Sequence, residues 1–122
     1  QFVNIRHVLF KRYDDLLTNK GLTKPFQSPN SRAALHLYVI QVDKDVRKRV
    51  FDQLRASGIG VNVHYIPIHI QPFYQNLGFS EGEFPVAESY YRRAISLPIF
   101  QGLNIDRQNE VIFIVNKIMS EL

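Results

Sequence analysis

Residues 35–42, Leu-His-Leu-Tyr-Val-Ile-Gln-Val, constrain the fold more than any other stretch of the chain. β-Branched and aromatic side chains pack well on a pleated surface, and this run is bounded by polar turns, so it is the clearest strand in the sequence. Alternation puts Leu35, Leu37, Val39 and Gln41 on one face and His36, Tyr38, Ile40 and Val42 on the other. Both faces are largely apolar, which predicts a strand covered on each side. The residues that follow supply one cover. Val46, Val50 and Leu54 repeat at helical spacing, Asp43 and Asp45 stand at the positive end of that helix, and Gly58 comes after its last turn. Val61–Tyr65 then reads as a second short strand, giving a strand-helix-strand unit.

Helical patterns flank this unit. Phe2, Ile5, Leu9, Tyr13, Leu16 and Leu17 predict a helix over 2–18, with Gly21 as its C-cap, followed by a proline- and serine-containing loop from Leu22 to Ala33. Ile70 to Leu77 reads as one or two helical turns ending at Gly78. Pro85 suits the first position of a helix through Val86 to Arg93, and Ala94–Leu97 reads as a third strand stopped by Pro98. Gly102 and Asn104 precede a last helix with Val111, Val115, Ile118 and Leu122 in one stripe. The predicted fold is α+β: a small, mostly antiparallel or mixed sheet of three to four short strands packed against helices. At 122 residues the chain forms one domain, 1–122, with a helix over 1–20 and an α/β sandwich over 34–122.

Composition removes several function classes. No apolar run approaches the roughly 20 residues of a membrane span, and the opening residues are amphipathic rather than signal-like. The absence of cysteine rules out disulfides and thiolate metal sites and fits a cytoplasmic protein. The net charge of +4 is concentrated in Lys44, Arg47, Lys48, Arg49 and Arg55, which raises nucleic-acid binding. The same segment carries an apolar stripe, Val46, Val50 and Leu54, and no aromatic stacking motif interleaves with its charges, so it reads as the solvated face of a helix and not as a nucleic-acid patch. The first residue is Gln1, and the chain is expected to be a piece of a longer protein.

Four histidines are candidates for chemistry. His7 falls on the polar side of the first helix and is expected to face solvent. His36, inside a strand, is expected to be a hydrogen-bonded core residue. His64 and His69 do not converge with further ligands at a metal-site spacing, so no metal is expected. Ser57, Ser80, Ser89 and Ser96 lack a nucleophile-elbow context, and no glycine-rich phosphate loop occurs. What remains is an edge. Pro67 and Pro72 stiffen the loop after Val61–Tyr65 and hold Tyr65, His69, Gln71 and Tyr74 at low entropic cost, an arrangement suited to hydroxyl-rich or aromatic ligands. On the residues alone, core cover by Tyr65, Phe73 and Tyr74 with the prolines as turn formers is an equal reading.

Gly58–Pro67 with His69, Gln71–Tyr74, Leu77–Phe79, Phe84–Glu88 and Ala94–Pro98 resembles the C-terminal domain of the DegT/DnrJ/StrS nucleotide-sugar aminotransferases. These are fold-type-I pyridoxal-phosphate enzymes. The resemblance spans essentially the whole chain, and the first helix is similar to the family's helix joining large and small domains. Within the family, Val61–Pro67 looks most like the pseudaminic acid branch, whose members aminate the 4-keto position of a UDP-linked 4-keto-6-deoxy sugar with glutamate as donor.

The resemblance implies that the cofactor-bearing lysine and the phosphate-binding residues belong to a large domain preceding this chain. Lys20, Lys24, Lys44, Lys48 and Lys117 match no Schiff-base motif, so no catalytic residue and no bound cofactor are expected here. It implies substrate contacts from His64 and Tyr65, with His69, Gln71 and Tyr74 as further candidates, and a homodimer when the protein is complete. A pyridoxal-phosphate sugar dehydratase of the same family and a free-standing ligand-binding or regulatory α+β module are the alternatives.

Overall fold

A computed structural model describes residues 1–122. In chain order the elements are α1 (Phe2–Leu16), β1 (Tyr38–Gln41), α2 (Lys44–Ala56), a 3-10 turn (Ile68–Ile70), α3 (Pro72–Gln75), α4 (Pro85–Arg93), β2 (Ala94–Leu97) and α5 (Ile105–Ser120). The α+β class is as predicted, but the sheet has two strands and not three to four. β1 and β2 are antiparallel, with Tyr38 opposite Leu97 and Gln41 opposite Ala94. Single bridges extend the pair on both sides, Thr23 to Gln41 and Asn62 to Ser96.

Asn62 exchanges both backbone bonds with Ser96, at 3.2 and 2.7 Å. Its side-chain Oδ1 also accepts from the Val63 N–H at 2.8 Å, a donor that faces away from β2 in this register. Val61–Tyr65 pairs with β2 at this one residue only. Residues 35–37 are shortened out of β1 because Leu35 adopts a φ of 50°, a break in extended backbone. His36 lies before the strand and is exposed, not the core histidine expected.

Along β1 and its two flanking residues, Tyr38, Ile40 and Val42 are buried, while Leu37, Val39 and Gln41 on the other face are half-buried. The buried face meets a continuous core that takes Leu9, Tyr13 and Leu17 from the first segment, Val50 and Leu54 from α2, Ile95 and Leu97 from β2, and Val111, Val115 and Ile118 from α5. α2 begins where Asp43 accepts from the Asp45 N–H and ends in a left-handed Gly58 at φ 80°. There the Gly58 N–H bonds the Arg55 carbonyl and the Ile59 N–H the Leu54 carbonyl, both at 3.0 Å, and Ile59 folds back into the core. The basic face of α2 is solvated: Lys44 pairs with Asp45 and Lys48 with Asp52 on the surface.

α1 is docked, not loose. It ends at Leu16, and Gly21 sits in a later turn bonded to the Asn19 side chain instead of capping it. Gln108, fully buried in α5, accepts from Arg12 Nε at 3.0 Å and donates to the Leu9 carbonyl at 2.7 Å. Asn116 donates to the Leu16 carbonyl at 2.9 Å, and Tyr13 Oη donates to the Pro98 carbonyl at 2.8 Å. Tyr13 and Tyr38 stack at 4.7 Å in this interior, and burial pushes the ionisation of both phenols far upward. His7, expected in solvent, is half-buried with Nε2 at 2.9 Å from the Ala33 carbonyl.

Candidate functional site

The five sequence candidates fall on two neighbouring substructures joined by Pro67. His64 and Tyr65 leave the Asn62 bridge at the open side of β2, and their rings meet edge to face at 4.6 Å. The peptide between them is cis. His64 is half-buried; its Nδ1 lies 2.8 Å from Ser96 Oγ and its Nε2 3.3 Å from Asn62 Nδ2. Tyr65 is 71% exposed. A half-buried imidazole anchored to the sheet thus stands beside a free phenol.

His69 is placed differently. It is 7% exposed, with Nε2 at 2.8 Å from Oε1 of Glu88, which is itself 3% exposed on α4. The same carboxylate oxygen accepts from the Gly82 N–H at 2.7 Å, and Oε2 accepts from Arg92 at 3.3 Å. The His69 bond, then the Gly82 bond, hold the Glu88 carboxyl below its ordinary range. His69 also packs against Phe84 at 4.7 Å between ring centres. Its bonds clasp the 66–70 loop to α4. Gln71 is half-buried and reaches the Ile66 carbonyl only at 3.4 Å. Tyr74 is half-buried, edge-on to Phe73 at 5.2 Å.

Around this clasp the surface is unusually apolar. Tyr65, Ile68, Phe73, Phe84 and Val86 are all exposed, and the one buried side chain of α4 is Glu88. Tyr65, Pro67, Phe84, Val86 and Tyr90 line an open notch of about 650 Å³, within the size range of small-molecule sites. Large aromatic and aliphatic side chains gathered on one exposed face mark an interaction or ligand surface.

Three contributors were not foreseen. Ser96 carried a signal, a lone hydroxyl in the otherwise apolar strand Ala94–Leu97. Glu88 had none, because an acid in the first turn of a helix already has a sufficient reason to be there. Asn62 was read only as a strand residue. No group of three or more His, Asp or Glu side chains is arranged to hold a metal ion.

None of the lysines fits a Schiff base with pyridoxal phosphate. All six lysines are exposed. Lys11, Lys44 and Lys48 pair with surface carboxylates, and Lys24 donates to the Asp14 and Leu17 carbonyls at 2.6 and 3.1 Å. None is the buried amine that a Schiff-base site requires.

Comparison with known proteins gives a consistent outcome. The spore coat polysaccharide biosynthesis protein SpsC of Bacillus subtilis is 40% identical over 105 residues, covering 81% of this chain and 27% of its own length. The UDP-4-amino-4,6-dideoxy-N-acetyl-β-L-altrosamine transaminase of Helicobacter pylori is 31% identical over 106 residues, covering 79% and 28%. Among solved structures, Streptomyces venezuelae DesV in complex with a ketimine intermediate superposes with a TM-score of 0.92 at 28% identity, over 99% of this chain and 33% of that one. Helicobacter pylori PseC, an aminotransferase of pseudaminic acid biosynthesis, superposes with a TM-score of 0.88 at 25% identity over the same shares. The chain therefore spans about a third or less of the length of these relatives. Residues 1–116 match the DegT/DnrJ/EryC1/StrS aminotransferase family, to which this chain belongs.

Proposed function

We propose that this chain is the substrate-side domain of a pyridoxal-phosphate-dependent aminotransferase acting on a UDP-linked 4-keto-6-deoxy sugar, with glutamate as amino donor. The observation that carries the reading is the pairing of a sheet-anchored His64 with an exposed Tyr65 beside the apolar notch. Such a pair suits a ligand with hydroxyls along one side and a flat or apolar face on the other. The names of the transaminase relatives support the substrate class.

The cofactor supplies the amino-transfer chemistry when bound. Residues outside this chain hold it, since none of its lysines fits that role. The domain's own part is to orient the sugar through His64 and Tyr65 and to exclude water with the apolar face around Phe84 and Val86. His69, Gln71 and Tyr74 complete the edge, His69 through its clasp on Glu88. The complete enzyme works as a homodimer in the cytoplasm.

The test is to assay the complete protein with pyridoxal phosphate, glutamate and a UDP-4-keto-6-deoxy sugar. A 4-amino sugar product supports the reading. Loss of water from the sugar without nitrogen incorporation, or no turnover of any nucleotide sugar, overturns it.

A further inference from the structure

The hydrogen bonds around His64 fix where its proton sits. The Val63 N–H can bond only an acceptor, and it lies 2.8 Å from the Asn62 side chain, so that atom is the amide oxygen. The amide nitrogen of Asn62 then faces His64 Nε2 at 3.3 Å. An amide nitrogen is a donor only, so Nε2 must offer its lone pair. In a neutral imidazole the proton is then on Nδ1, which donates to Ser96 Oγ at 2.8 Å. The opposite tautomer would set two N–H groups against each other at the Asn62 contact.

Ser96 is well fixed for this task. It is buried, and its backbone N–H and carbonyl are both engaged with Asn62. The same two residues thus set the position of the strand end and the protonation of the ring upon it. The Asn62 bond to Nε2 is long, near the limit for a hydrogen bond, whereas a hydroxyl donor bonds at about 2.7–2.8 Å. Nε2 is therefore the nitrogen at which an incoming O–H displaces a weak partner for a stronger one.

We infer that Asn62 and Ser96 are positioning residues that hold His64 as the neutral Nδ1–H tautomer, so that Nε2 accepts a hydrogen bond from a sugar or ribose hydroxyl of the bound nucleotide sugar and does not serve as a cation for its diphosphate. The hydroxyl contact rests on the substrate reading above; the tautomer does not.

The experiment uses the complete protein labelled with ¹⁵N at histidine, with His64 assigned by its loss in His64→Gln. Long-range proton–nitrogen correlations distinguish a protonated ring nitrogen from one carrying a lone pair. The expected wild-type pattern is a proton on Nδ1 and a lone pair on Nε2. Asn62→Asp replaces the donor at Nε2 by a carboxylate oxygen and is expected to protonate Nε2. Asn62 is exposed and its pairing with Ser96 is through backbone, so this variant keeps the fold. With its acceptor gone, the KM for the nucleotide sugar rises roughly tenfold, one hydrogen bond's worth, while amino transfer from glutamate to the cofactor is unchanged. A proton on Nε2 in the wild type, or His64 signals unmoved in Asn62→Asp, overturns the inference. If the tautomer is as assigned but His64→Ala, which removes the acceptor, leaves the sugar KM unaltered, the hydroxyl contact is overturned and the substrate-edge reading falls with it.

Discussion

His69 Nε2 meets Glu88 Oε1 at 2.8 Å in the interior, clasping the proline-stiffened loop to α4 across nineteen positions of sequence. Glu88 is held ionised chiefly by that bond and next by the Gly82 N–H. A carboxyl whose folded pKa is depressed stabilises the fold fully above its ordinary value, here 4.5, and loses that contribution as pH falls through the lower folded value. Thermal melting followed from neutral pH down through this window should therefore show wild-type stability falling more steeply than that of Glu88→Gln. Parallel curves would contradict a clasp that depends on the charge.

α1 belongs to the domain because Gln108 ties it to α5. Gln108→Leu removes the bonds to Arg12 and the Leu9 carbonyl in a site without solvent and should cost about 1–3 kcal/mol in denaturant unfolding. Asn109, the next residue, bonds Arg12 only at the surface, and Asn109→Ala should stay within about 0.5 kcal/mol. Equal effects from the two would mean that α1 does not depend on the buried amide.

The turn that delivers Val61 and Asn62 to the sheet depends on one left-handed residue. At Gly58, φ is +80° with no heavy atom within 4 Å of a built Cβ, so Gly58→Ala is penalised by backbone conformation alone, about 1 kcal/mol. Gly60 has equal space and no such φ, so Gly60→Ala should be neutral or slightly stabilising. Chemical denaturation of the two single variants checks the sign of each.

These contrasts show which parts of the molecule were legible in sequence. α2 and α5 were readable because each carries a periodic stripe and a polar cap, Asp43 and Asn104, whose side chains do accept the first-turn N–H groups. Pro85 marked the start of α4 and Pro98 the end of β2, because a missing N–H acts locally. The sheet was overcounted because Val61–Tyr65 has strand-forming residues, yet the chain pairs with β2 only at Asn62. His36 was misplaced because nothing in its neighbours announces the positive φ of Leu35. At the candidate site the loop chemistry pointed to Tyr65, and the family resemblance to His64 beside it. Their supports, Ser96 and Glu88, lie 32 and 19 residues beyond the histidines they bond, and such long-range partners leave no local pattern.

The central claim is a division of labour: His64 and Tyr65 handle the sugar, and the amine chemistry resides outside this chain. The two half-reactions of the complete enzyme separate these directly. In His64→Ala and Tyr65→Ala, single-turnover absorbance should show glutamate converting the cofactor at the wild-type rate, while reaction with the UDP-keto sugar weakens by roughly tenfold or more in kcat/KM, about 1.4 kcal/mol or more. If both half-reactions fall together, or if neither changes, the edge formed by His64 and Tyr65 is not where this protein meets its sugar.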